Sequence, residues 1–369
     1  MIYFDHNATT PLDERVLVAM LPFLQTHYGN ASALYKIGRI ARSAIDSARA
    51  QVAALVSVQP EQVIFTSGGT ESNNLALQQL ATDGTLLISA IEHPSIVEPA
   101  LQKPTQGAQL LIAAVDANGL IQPELLDSRT WQAGDLISWQ LANNETGVIQ
   151  PLSSLVSRLR DQNVIIHTDA TQALGKIPVV FNDLGVDMLS LSSHKLYGPK
   201  GCGALIVKPG LKLKPLLFGG SQERGLRAGT ENVANIVGFG KAAALALHEQ
   251  TQRQQQLLNL RDQLEQGLKS IPGVVIFSES AQRLPNTVQW GMPNQDGEML
   301  LMQLDQQGIA VSSGSACASG GGKPSPILTA MGVPEALAKS ALRISLGHTN
   351  NADEVDSFIA RLKTLVTQA

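Results

Sequence analysis

Three short segments of this chain carry residue types able to build a covalent cofactor site. In Ser192-Ser193-His194-Lys195-Leu196-Tyr197-Gly198-Pro199, a lysine sits between an apolar run and a Gly/Pro turn, flanked by hydroxyls and an imidazole. Such an amine can condense with an aldehyde, although a lysine taken alone is usually a solvated charge. In Asn163-Val164-Ile165-Ile166-His167-Thr168-Asp169-Ala170-Thr171-Gln172, an apolar run short enough for a buried parallel strand ends in a carboxylate. Ligands of open α/β sheets bind at the carboxyl ends of strands, which puts Asp169 where a cofactor would sit; an Asp there also suits a plain helix cap. The third segment, Val63-Ile64-Phe65-Thr66-Ser67-Gly68-Gly69-Thr70-Glu71-Ser72-Asn73-Asn74, reads as strand, small-residue turn and helix start. Glycines let backbone amides approach an anion and a helix N-terminus adds its dipole, so this turn suits a phosphate. It has neither the Lys-Ser/Thr ending of a nucleotide loop nor the spacing of a dinucleotide fingerprint.

Amine, carboxylate and phosphate cradle together match the needs of pyridoxal phosphate. Its ring becomes an electron sink only when the ring nitrogen is protonated, and an anion beside that nitrogen keeps it so. Asp169 can supply the anion, and Gln172 can hydrogen-bond the phenolic oxygen.

The elements that must position these residues form an α/β pattern. Apolar runs at Gln62 to Thr66, Thr85 to Ala90, Leu110 to Ala114, Leu136 to Gln140, Val164 to Asp169, Met188 to Ser192 and Ala204 to Lys208 alternate with helical stretches. That alternation implies βαβ units and a mainly parallel, helix-covered sheet. From Asn232 to Ser270 the sequence is rich in Ala, Leu and Gln without Pro, which predicts long helices whose weak points are Gly238 and Gly240. Shorter strands and turns after Pro272 place a smaller domain over 251–369, following a large domain over 13–250. With 369 residues and 44% hydrophobic content the chain can bury a large core. A formal charge of -4 argues against a nucleic-acid binder. No apolar stretch is long enough to span a bilayer, no leader pattern opens the chain, and two cysteines make no disulfide framework or multi-cysteine metal site. The cytoplasm is the expected compartment.

Runs along nearly the whole length resemble the cysteine desulfurases of the iron-sulfur-cluster and nitrogen-fixation type, within the class V aminotransferase group. They include Tyr3-Phe4-Asp5-His6-Asn7-Ala8-Thr9-Thr10-Pro11, Glu92-His93-Pro94-Ser95, Asn143-Asn144-Glu145-Thr146-Gly147, Arg227-Ala228-Gly229-Thr230-Glu231-Asn232, Ser312-Ser313-Gly314-Ser315-Ala316-Cys317 and Arg343-Ile344-Ser345-Leu346-Gly347, besides the three segments above. The resemblance implies fold type I of pyridoxal-phosphate enzymes, with residues 1–12 packing on the small domain. It implies Lys195 as the covalent anchor and base, and His93 as a catalytic residue stacked on the cofactor ring and able to move protons. Thr70, Ser192 and His194 would hold the phosphate, completed by Thr230 from the neighbouring subunit of a homodimer. Arg343, with Asn144 and Asn30, would hold the carboxylate of L-cysteine, and Asn144 would also position the cofactor ring. Read without the resemblance, Arg343 and Thr230 would pass as surface residues.

The reactive thiol decides the function. Cys317 lies in a stretch too rich in Gly, Ser and Ala for a rigid core element, which fits a nucleophile that attacks in one place and delivers in another. Cys202 opens an apolar run and reads as a small packed hydrophobe. The implied reaction converts L-cysteine to L-alanine through a persulfide on Cys317, passed to a sulfur-acceptor protein such as an iron-sulfur scaffold. A selenocysteine lyase or another class V enzyme shares the cradle without needing the cysteine; a non-catalytic sulfur relay would have no use for Lys195 and Asp169. The chain departs from the family at Gly29-Asn30-Ala31-Ser32-Ala33-Leu34-Tyr35, which lacks the usual proline and histidine, and at Lys323 and Pro326. Ending at Ala369, it is shorter than members whose tails dock a cluster scaffold, which leaves the acceptor open.

Overall fold

Each of the seven apolar runs becomes a strand. In a computed structural model that describes residues 1–159, 161–313 and 324–367, the strands are β1 (Ile2–Tyr3), β2 (Val63–Thr66), β3 (Thr85–Ser89), β4 (Gln109–Ala113), β5 (Leu136–Gln140), β6 (Ile165–Asp169), β7 (Met188–Ser192), β8 (Gly203–Val207), β9 (Val275–Ile276), β10 (Thr287–Gly291), β11 (Ile309–Ala310), β12 (Ser312–Ser313) and β13 (Leu342–Ser345). Seven of them form one sheet in the order β2-β8-β7-β6-β5-β3-β4. Only β8 runs antiparallel to its neighbours there. The inner strands β3, β5, β7 and β8 are buried along their whole length and β6 from Ile166 onward, as expected where helices cover both faces, while edge strand β4 exposes Ile112. The expected α/β architecture with a mainly parallel sheet is therefore the one observed.

A second sheet, β12-β13-β10-β9, is antiparallel, and β1 pairs with β11 beside it. The N-terminal segment is stitched to β13: the His6 N–H donates to Ser345 O at 3.0 Å and the Asn7 N–H to Ser345 Oγ at 2.9 Å. Phe4 packs in the same apolar cluster as Val288, Trp290, Leu342 and Phe358.

The long helices expected from Asn232 to Ser270, with Gly238 and Gly240 as weak points, are one helix, Val233–Lys269, that runs 37 residues without interruption. The glycines are contact points. A Cβ on Gly240 would lie 2.5 Å from Ala48 Cα in the helix Lys36–Leu55, so its absence lets the two helices approach closely. Ile236, Phe239, Ala242 and Ala246 of the long helix join the core under the large sheet, whereas Leu257, Leu260, Leu264 and Leu268 join the cluster under the second. The Gln-rich stretch between these halves is largely solvated, except that Arg253 is buried with its guanidinium 5.2 Å from the Tyr197 ring centroid. No helix among the described residues is long and apolar enough to cross a membrane.

Candidate active site

The carboxyl ends of β2, β3, β5, β6 and β7 open onto one cavity of about 340 Å³. It collects Lys195, Asp169, Gln172, His93, Thr70, Ser192, His194, Asn144 and Arg343, all expected from the sequence, together with Asn7, Ala8, Gly69, Asn73 and Thr171. Its position is the one that ligands of open α/β sheets occupy.

Asp169 ends β6 with both carboxylate oxygens fixed: Oδ1 accepts from the Thr171 N–H at 2.9 Å and Oδ2 from Asn73 Nδ2 at 2.7 Å. The same Asn73 amide donates to Ser95 Oγ at 2.8 Å, and Ser95 Oγ lies 2.8 Å from His93 Nδ1. His93 caps the helix Pro94–Gln102, its Nδ1 accepting from the Ser95 N–H at 3.1 Å. With Nδ1 an acceptor, the neutral ring carries its proton on Nε2. Burial lowers the His93 pKa, with Asp169 opposing the fall and Lys195 adding to it.

At the other end, the helix Gly69–Leu77 points its N-terminus into the cavity. A Cβ on Gly69 would come within 3.2 Å of Thr171 Oγ1 and 3.5 Å of Ser192 Cβ, so the missing side chain is what leaves room for an anion. Thr171 Oγ1 is buried without a hydrogen-bond partner. His194, at 3.1 Å from Thr9 Oγ1, has its pKa lowered to about 4 by burial and by Lys195 and Lys200, and is neutral there.

Lys195 follows β7 in a single 3₁₀ turn, and its ammonium donates to Asn7 O and to Ala8 O, the latter at 2.8 Å. Arg343 lies on β13 and, contrary to the surface position expected without the resemblance, is only 4% exposed. Pairing of β13 with β10 and β12 buries it. Its Nη2 donates to Asp5 Oδ1 at 2.5 Å and its Nη1 to Asn144 O at 3.0 Å, while Nε has no partner. The motif around Asn144 is a turn organised by Asn143, whose Oδ1 accepts from the Glu145 and Thr146 N–H groups at 2.8 and 2.9 Å. This turn leaves Asn144 Oδ1 buried and unpartnered at the cavity.

Two expected residues lie elsewhere within the single chain. Thr230 and Asn30 are both exposed and do not line the cavity, and Asn30 instead closes its own turn by accepting the Ser32 N–H at 2.8 Å. The Arg227 that opens the Thr230 motif is ion-paired at 2.9 Å with Glu71, in the first turn of the phosphate-side helix. Cys317 lies outside the described residues. Cys202 is buried and burial pushes its thiol well above the ordinary range, so it has little thiolate to offer.

Reading the sequence assigned no role to Asn7, Asn73, Thr171, Lys176 or Glu92. Glu92 is buried behind His93, hydrogen-bonded by Ser89 Oγ and by the Gln140 N–H at 3.0 Å. Burial raises its pKa to about 8, with Asp169 adding to the rise. A carboxyl that is more basic folded than unfolded takes up a proton on folding, so its contribution to stability falls as pH rises from about 4.5 to about 8. Glu92→Gln reproduces the protonated form, and its melting temperature should decline less between pH 5 and pH 8 than that of the wild type. Parallel curves across that range in thermal melts would refute the assignment.

The model of the family described as Aminotransferase class-V matches residues 2–358. The chain is 40% identical to a cysteine desulfurase IscS of Methanosarcina thermophila over 370 residues, 99% of this chain and 92% of that one. Among solved structures it is similar to a NifS-like protein, with TM-score 0.93 and 35% identity covering all of both chains. It is also similar to a NifS-like protein from Rickettsia africae, with TM-score 0.91 and 36% identity covering 100% and 99% of the two chains.

Proposed function

Since the chain belongs to the class-V aminotransferase family, we propose that it is a cysteine desulfurase that converts L-cysteine to L-alanine and leaves the sulfur as a persulfide on Cys317. Its fold is type I of the pyridoxal-phosphate enzymes. The observation that carries the reading is the convergence on one cavity of a lysine, a doubly anchored carboxylate, a helix N-terminus with an orphaned hydroxyl beside it, and a buried arginine. These residues fit pyridoxal phosphate: Asp169 would face the ring nitrogen, His93 the ring and Gln172 the phenolic oxygen, and Gly69, Thr70, Thr171, Ser192 and His194 would hold the phosphate.

When bound, that cofactor supplies an aldehyde for the Lys195 amine and a sink for the electrons of the substrate Cα–H bond. The chain's own residues do the rest. Asn73 and Thr171 fix the Asp169 carboxylate, so the charge that keeps the ring nitrogen protonated is immobile. Arg343 offers its Nε edge, and Asn144 its side chain, to the carboxylate of L-cysteine. That grip would direct the Cα proton toward Lys195, whose amine would take it up and hold it for return. The Cys317 thiolate then attacks the substrate sulfur: an S–S bond forms, the Cβ–S bond breaks with its electron pair staying on carbon, and a proton completes alanine. Cys317 is left as a persulfide for a sulfur-acceptor protein, with iron-sulfur cluster assembly as the destination this reading favours. The cytoplasm, where thiols stay reduced, suits such chemistry.

Thr230 enters through a second copy. Exposed, and tied by Arg227 to the helix that faces the phosphate, it would reach the phosphate of the opposite subunit in a homodimer. The reading is tested by incubating the purified protein with L-cysteine and a thiol reductant: alanine and sulfide should appear in equal amounts. Sulfide accompanied by pyruvate and ammonia, or turnover of selenocysteine alone, would replace it with a lyase.

A further inference from the structure

Lys176 lies four residues beyond Gln172 and is buried, only 6% exposed. Its Nζ donates to Gln172 Oε1 at 2.8 Å and to Asn7 Oδ1 at 2.7 Å. Gln172 in turn donates from Nε2 to Asn7 O at 3.0 Å, the carbonyl that Lys195 also uses. Asn7 reaches the second sheet as well, its Nδ2 donating to Thr287 Oγ1 at 2.9 Å and to Asn144 O at 3.1 Å. Among the described residues Lys176 forms no ion pair. Burial, with Lys195 and Arg343 nearby, holds its pKa well below the ordinary lysine range. Its N–H groups meet two acceptors here, Gln172 Oε1 and Asn7 Oδ1.

A carboxamide has an oxygen edge that accepts and a nitrogen edge that donates, and turning it over exchanges the two. An amine bonding through its N–H groups can rest only against the oxygen edge. Lys176 therefore decides which edge of Gln172 borders the cavity: the nitrogen, with one N–H on Asn7 O and the second available to an acceptor oxygen of a bound ligand. We propose that Lys176 is a positioning residue that locks the Gln172 carboxamide with its N–H toward the cavity, so that the phenolic oxygen of the cofactor meets a donor and never an acceptor. This rests on the pyridoxal-phosphate reading above and adds to it a residue acting one shell behind the cofactor. A donor on the phenolic oxygen stabilises its anionic form and weakens the hold of the neighbouring Lys195-linked nitrogen on its proton.

The test is a pH titration of the visible absorbance band of the holoprotein in wild type, Lys176→Met, Gln172→Leu and the double variant. Lys176→Met keeps the length of the side chain and removes its donors. Its titration midpoint should rise by about one pH unit, a tenfold change in acidity of the size expected when one hydrogen bond to a charged group is lost. Because Lys176 acts through Gln172, the double variant should titrate like Gln172→Leu alone. An unchanged midpoint in Lys176→Met, or shifts that add in the double variant, would overturn the proposal. Neutron diffraction on the wild-type protein, with or without cofactor, covers the case in which Lys176→Met does not fold. Deuterons on the cavity-facing nitrogen of Gln172, with Lys176 against its oxygen, support the lock, and the reversed amide refutes it. A wild-type protein that takes up no pyridoxal phosphate would sink the cofactor reading instead, and the neutron map would still decide the orientation.

Discussion

Lys195→Ala will yield a protein without the visible absorbance of the wild type and with turnover of L-cysteine reduced by at least ~10³-fold. Two losses combine in that number. The amine is the covalent anchor in this reading, and it is also the base that moves the Cα proton. Nothing nearby can take over: His93 accepts at Nδ1 from Ser95 and presents a protonated Nε2, and His194 is held neutral with its Nδ1 beside Thr9. An absorbance spectrum together with the alanine yield measures both losses. Full colour with full turnover in this variant would move the attachment to another lysine, and Lys176, bonded to the same Asn7, is the one such a result would indicate.

Cys317→Ser separates the two halves of the reaction. Sulfide release from L-cysteine should fall at least ~10²-fold, because a hydroxyl is no substitute for a thiolate attacking sulfur. The spectral response to L-cysteine should persist, because Lys195, Asp169 and Arg343 are untouched. Cys202 cannot rescue the variant, being buried with its thiol pushed up by burial. Both flanks of the Cys317 segment are fastened at the cavity. Ser312 pairs with Arg343 across β12 and β13, and Ser325 Oγ donates to Glu145 at 2.6 Å, one residue from Asn144. Four residues lie between Ser312 and Cys317, so the five steps reach at most ~18 Å of extended chain. Undiminished sulfide release in Cys317→Ser would shift the assignment to a lyase that expels the sulfur without a protein thiol.

The large sheet was legible because buried parallel strands are continuous apolar runs, and such runs at Leu136, Ile165 and Met188 have few other ways to be buried. Site residues that end those strands were legible for the same reason: Asp169 and Ser192 are where β6 and β7 stop, and Lys195 follows within one turn. Residues whose roles arise from distant meetings were not. Arg343 is buried only because β10 and β12 pair with its strand. Asn7 joins Gln172, Lys176, Asn286 and Thr287 across more than 160 positions of sequence, and an asparagine in a turn otherwise reads as a local cap. Asn73 hides likewise in a helix start, although it is the group that fixes both Asp169 and Ser95. Gly238 and Gly240 read as weak points because local propensity counts glycine against a helix, while the close approach of Met20 and Pro199 at Gly238 and of the helix Lys36–Leu55 at Gly240 favours their missing side chains.

The central claim is that an aldehyde cofactor is held covalently by one particular amine in this cavity. Borohydride reduction of the purified protein, followed by peptide mapping, tests it directly. The account predicts a phosphopyridoxyl group on the peptide containing Lys195 and on no other. A label on the Lys176 peptide, or no label on a protein saturated with pyridoxal phosphate, would contradict it.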